Sequence, residues 1–150
     1  MPSLQEQIQA DLGDAMRAKD GVRKSSLRML IAALKNAQIE VRKDHLDDAA
    51  VLTIVQKQVK QRRESVLEFR KGNREDLVAI EEAEIEVLSA YLPAQVSREE
   101  IVAAAQKIVA ETGASGPRDM GKVMPALTKQ FGASADGRTI SEVVREILGA

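Results

Sequence analysis

Leu92-Pro93-Ala94-Gln95-Val96-Ser97-Arg98-Glu99-Glu100 divides this chain in two. Proline lacks the N–H that a helix interior needs and restricts the residue before it, so Pro93 ends whatever helix arrives from Tyr91. Four residues later, Ser97 with Glu100 forms a capping box, the signature of a new helix start. The segment 93–96 therefore reads as a linker between a domain over residues 1–92 and a second over 97–150.

Working back from Leu92, apolar residues recur at helical spacing throughout. Leu4, Ile8, Leu12, Ala15 and Met16 follow a Ser3/Glu6 capping box and predict a helix to about Lys19. Leu27, Leu30, Ile31, Leu34, Ala37 and Val41 define a second helix, to about Lys43. Val55, Val59, Val66 and Phe69 define a third, from Asp47 or Asp48 to Lys71, closed at Gly72-Asn73 as by a C-terminal glycine. A fourth spans Asn73 to Tyr91. Beyond the linker, three shorter helices are predicted: one after Ser97 ending near Gly113, one capped by Asp119 and one capped by Asp136 or Thr139. No run alternates with a period of two. The fold expected is all-α, an N-terminal antiparallel bundle of about four helices plus a small C-terminal three-helix domain, the latter marginal in size as an independent fold.

Composition narrows the function. With 150 residues, 44% hydrophobic and no cysteine, the chain folds without disulfides and has no thiol nucleophile. No apolar stretch approaches a membrane span and no basic flank leads into an apolar run at the start, which reads as cytoplasmic. Net charge is −1, evenly divided between the halves, so charge alone does not advertise a nucleic-acid binder. Two phenylalanines and one tyrosine build no base-stacking platform, so any RNA would be read by shape and phosphate. Ser25-Ser26 beside Lys24 lacks the glycine/serine-rich setting of an amidase, and no phosphate-binding glycine loop occurs.

Three charged groups stand out. Arg62 falls on the apolar stripe of the third helix, and Glu81 and Glu84 fall within the apolar sector of the fourth, so a structural ion cluster is expected, with Arg62 bridging one or both carboxylates. An acid/base or metal site at Glu81, Glu84 and Glu86 is the lesser reading. On the second helix, Lys24, Arg28, Lys35 and Arg42 form a basic ridge, either solvated or paired with acids on a neighbouring helix, or else phosphate-binding. In the C-terminal half, Asp119-Met120-Gly121-Lys122 and Asp136-Gly137-Arg138 each pair a helix-start signal with a glycine and a cation. Capped helix starts with exposed amides would make a small anion site there, enlarged by Arg118, Lys129 and Arg145. The alternative is that both glycines serve close helix packing.

Asp119-Met120-Gly121-Lys122-Val123-Met124 with Ala135-Asp136-Gly137 resembles the GatB/YqeY family, whose tail domain occurs in the B subunit of glutamine-dependent tRNA amidotransferase and in stand-alone YqeY proteins. Leu27-Arg28-Met29-Leu30, Ala32-Ala33-Leu34-Lys35-Asn36, Gln61-Arg62-Arg63-Glu64-Ser65, Asn73-Arg74-Glu75-Asp76-Leu77, Glu81 through Glu86 and Tyr91-Leu92-Pro93 extend the resemblance over nearly the whole chain. It implies a tRNA-binding module or an accessory to amidotransfer, with tRNA, an amidotransferase or another translation protein as partner. The activity attached to the family is carbon–nitrogen ligase with glutamine as amido-nitrogen donor. No cofactor, metal or catalytic residue is expected in this chain itself, and a protein–protein interaction module is the alternative. Gly132-Ala133-Ser134 stands where the family carries a basic residue, and Pro125 interrupts the helix begun near Asp119, so weaker RNA binding than the family's is expected.

Overall fold

A computed structural model describes residues 2–149. Seven α-helices account for most of the described residues, which include no strand: α1 (Leu4–Arg17), α2 (Gly21–Val41), α3 (Asp48–Lys71), α4 (Glu75–Ser89), α5 (Arg98–Thr112), α6 (Met120–Phe131) and α7 (Gly137–Leu148). The contacts separate into two compact units, one ending at Leu92 and the other beginning at Pro93.

Side-chain caps set most helix starts. Ser3, Asp20, Asp47, Ser97 and Asp136 each accept a backbone N–H from the first turn of the helix they precede, satisfying a donor that has no intrahelical partner. The ends use left-handed residues. Gly113 (φ 70°) closes α5, a conformation glycine adopts without a Cβ penalty. At α3 the expected glycine cap is displaced by one residue: Gly72 stays at φ −86°, and Asn73 takes the left-handed turn.

In the first unit, α3 packs along α4, α1 along α2, and α2 against both α3 and α4. Ile8, Leu27, Leu30, Leu34, Val51, Val55, Val59 and Leu88 form the dry centre. Each buried aliphatic side chain stabilises the unit by about 1.5–3 kcal/mol before entropy is subtracted. One polar device lies among them. Gln5 is 7% exposed; its Nε2 donates to Gln38 Oε1 (2.7 Å) and its Oε1 accepts the Leu46 N–H (2.9 Å). Gln38 Nε2 in turn donates to the Asp44 carbonyl, so two glutamines hold the α2–α3 loop from inside.

In the second unit, α5, α6 and α7 pack mutually around Ile101, Ile108, Val123, Leu127, Ile140, Val143 and Leu148. The residues read as a linker are tied to this unit: the Val96 N–H donates to the Ser134 carbonyl (2.8 Å), and Gln95 Nε2 donates to the carbonyls of Ala133 (3.0 Å) and Pro93 (2.8 Å).

Candidate nucleic-acid interface

The start of α6 differs from the capped helix read in the sequence. Asp119 belongs to a 3-10 turn, Pro117–Asp119, and makes no capping bond to α6. The Asp119 N–H donates to the Gly116 carbonyl (2.9 Å) and the Met120 N–H to the Pro117 carbonyl, so these two amides are already used. Proline at the head of the turn explains the shift: its fixed φ begins helical winding two residues before Asp119. The Asp119 carboxylate instead accepts the Ser115 N–H (2.9 Å) and pairs with Lys122 (3.4 Å). The Ser115 amide first, and then Lys122, hold its carboxyl below the usual carboxylate range.

Gly121 and Gly137 do not serve close packing. Nothing lies within 4 Å of the position a Cβ would occupy at either residue, so the packing alternative fails and both backbones are open on that side. Pro125 sits inside α6 without an N–H, leaving the Gly121 carbonyl without its usual donor. At α7 the cap is Asp136, whose carboxylate accepts the Arg138 N–H (3.1 Å).

The cations divide into two groups. Lys122 faces Asp119, and Arg138 Nε lies 3.3 Å from Glu142. Arg98 reaches the same carboxylate (3.7 Å) and Glu146 (2.6 Å). The acids of α7 thus neutralise part of the positive surface, a role that the sequence reading did not assign to Glu142 or Glu146. The Arg138–Glu142 pair has the readable i,i+4 spacing; the Arg98 pairs join distant helices and have none. Arg118, Lys129 and Arg145 are exposed and form no ion pair among the described residues.

In the first unit, Arg62 is 7% exposed and Glu84 9%. Arg62 Nη1 donates to Glu84 and to Glu81 Oε2 (3.3 Å), Nη2 donates to Met29 Sδ (3.4 Å), and Nε has no partner. Burial pushes the Glu84 carboxyl above its usual value; the charge on Arg62 pulls the other way. Arginine binds both acids, Glu86 is exposed, and no group of three or more metal-type ligands occurs among the described residues. On α2, Arg28 and Lys35 are exposed and Lys24 half-buried, none ion-paired among the described residues. Arg42 lies just past the helix: α2 ends at Val41, and Arg42 is its left-handed cap (φ 55°), lining a shallow cleft together with Lys35.

A cleft of about 570 Å³ is lined by Asp11, Asp20, Val22, Arg23, Glu86, Val87 and Tyr91, among others. Tyr91 Oη donates to Asp11 Oδ2 (2.5 Å), joining the second residue past α4 to α1 across 80 positions, a link invisible in local sequence. Burial, with the Asp11 carboxylate as acceptor, raises the phenol well above its ordinary pKa.

The family model described as Yqey-like protein matches residues 5–148. The chain belongs to the YqeY family. Curated relatives include "Altered inheritance of mitochondria protein 41, mitochondrial" from several fungi. The Pyrenophora tritici-repentis protein is 34% identical over 95% of this chain and 80% of its own length. The Lachancea thermotolerans protein is 42% identical over 57% of this chain and 46% of its own, and that of Eremothecium gossypii 41% over 69% and 58%. This YqeY-family chain therefore spans from about half to four fifths of these relatives' lengths. None of its described helices is long and apolar enough to cross a membrane.

Proposed function

We propose that this chain is a stand-alone RNA-binding module that engages folded tRNA, as an accessory to glutamine-dependent amidotransfer and without a catalytic site of its own. The observation that carries the reading is α6 with its flanks. From Met120 to Ala135 the chain has Lys122 and Lys129 and no acid, and Gly121 leaves the backbone open to approach. Arg118, Lys129 and Arg145 supply cations not engaged in ion pairs among the described residues, and the few aromatic residues fit recognition of phosphate and shape. The four helices of the first unit are read as an antiparallel bundle. Its working compartment is one that contains tRNA. The cytoplasm, read from the sequence, and the mitochondrion, in the names of the fungal relatives, both meet that condition.

Three phosphate contacts give a salt slope of about −2.7, so affinity falls about 40-fold between ~50 and ~200 mM salt. Titrating folded tRNA at two salt concentrations tests this, with the R118A/K129A/R145A variant as comparison. Binding that weakens by that order, and a variant with a nearly flat slope, support the reading. No binding near physiological salt, or an unchanged slope in the variant, removes it.

A further inference from the structure

The outer surface formed by α2 and α4 is self-complementary, and we propose that two copies of this chain dimerise through it. Its centre carries four apolar side chains beside a charged cleft. Val22 and Met29 on α2 are seven residues apart, as are Ile80 and Val87 on α4, so each pair lies within about 20° on its helix. Val22, Met29 and Ile80 are 41%, 53% and 52% exposed, and it is their grouping on one surface that marks it as unpartnered. The four are neighbours. Val22 and Val87 line one cleft, and Met29 touches Arg62, which bonds Glu81 beside Ile80. The two helices therefore run in opposite directions.

The edges of this surface carry opposite charge. On α2, Lys24, Arg28 and Lys35 occupy the flank away from α4 and form no ion pair among the described residues. On α4, Glu75 and Glu82 occupy the far flank, where Glu82 meets Arg70 of α3; Glu86 follows Glu82 at helical spacing and also borders the cleft with Val22, and no basic residue occurs between Arg74 and Arg98. A two-fold axis parallel to the helices sets each cationic edge against the partner's acidic edge; an axis at right angles would set like against like. The spacing supports the parallel axis. Lys24, Arg28 and Lys35 are separated by four and seven residues, and so are Glu86, Glu82 and Glu75. With Val22 over the partner's Val87 and Met29 over its Ile80, the three cations fall opposite the three acids in register. An isologous interface makes every such contact twice.

The test is sedimentation equilibrium of the full chain from micromolar to millimolar concentration, at low and high salt. A dimer that salt weakens is expected. K24E/R28E and E82K/E86K each place like charges on both edges and weaken self-association by about tenfold or more. Mixed one to one, they recover a heterodimer, because each reversed edge meets its complement. I80D, at an exposed position, weakens the dimer without changing helicity by circular dichroism. A chain monomeric throughout, or a dimer indifferent to the reversals, or a mixture with no heterodimer, overturns the proposal. The residues differ from those assigned to tRNA, so either idea can fail alone.

Discussion

Replacing Arg62 with methionine isolates the energetics of the buried ion cluster. The substitution keeps an unbranched apolar stem but leaves Glu84, 9% exposed, with no cation. Removing one partner of a buried pair costs about 3–5 kcal/mol, because the other charge stays desolvated. Set against roughly 0.05–0.15 kcal/mol per residue, a unit of this size has about 5–14 kcal/mol in total, so R62M removes about a fifth of its stability or more. In urea, with a slope of about 1–3 kcal/mol per molar, the midpoint falls by at least ~1 M. The double variant R62M/E84L removes both desolvated charges and should lie within ~1 kcal/mol of the parent, since Glu81 can turn to water. The pH dependence has a definite sign. Burial raises the Glu84 pKa in the folded state, so this group's contribution is fully present below the ordinary carboxylate range and is lost as pH rises through the raised value. The R62M deficit should therefore shrink on acidification, as Glu84 becomes neutral. An R62M midpoint near that of the parent, or a double variant no better than the single, would refute this account of the cluster.

Other outcomes follow from single contacts. Asp119→Asn frees Lys122, so tRNA affinity should rise and the salt slope steepen by about one phosphate contact in the same titration. The Asp119 carboxyl is held below its usual range, so its stabilising contribution is present at neutral pH and lost as pH falls through the lowered value; melting curves of the Asn variant should lack that acid-side component. Tyr91 is the only tyrosine, so an absorbance titration reads it directly and should show no ionisation until well above the ordinary phenol range. Tyr91→Phe should cost about 1–2 kcal/mol in urea unfolding through the lost bond to Asp11. Gly113→Ala forces a side chain into a left-handed turn (φ 70°) and should cost about 1–2 kcal/mol, visible as a lower melting temperature.

What could be read in advance follows the range of each interaction. Ser3 with Glu6, and Ser97 with Glu100, announce helix starts because a cap depends on residues three apart. Arg62 could be placed inward because a charge on an apolar stripe has few other solutions. Asp119 misled, because the proline two residues earlier begins the winding and converts a cap into part of a turn. The left-handed turns at Arg42, and at Asn73 in place of Gly72, could not be read, since a left-handed non-glycine residue carries no strong sequence mark. The ion pairs of Arg98 and the Tyr91–Asp11 bond join residues 44 to 80 positions apart, and only tertiary packing brings them together.

The pair Gln5 and Gln38 has a consequence for which fold the chain selects. Ile8 and Ala15 present α1 to its neighbours as a smooth apolar ridge, which several sliding positions could bury almost equally well. An amide has no such tolerance: one turn of slippage would strand the Gln5 oxygen away from the Leu46 N–H and its nitrogen away from Gln38, leaving buried polar groups unmatched. Two uncharged side chains thus act as a vernier, adding little to how strongly α1 is held and much to where it stops, as a buried asparagine does in a coiled coil.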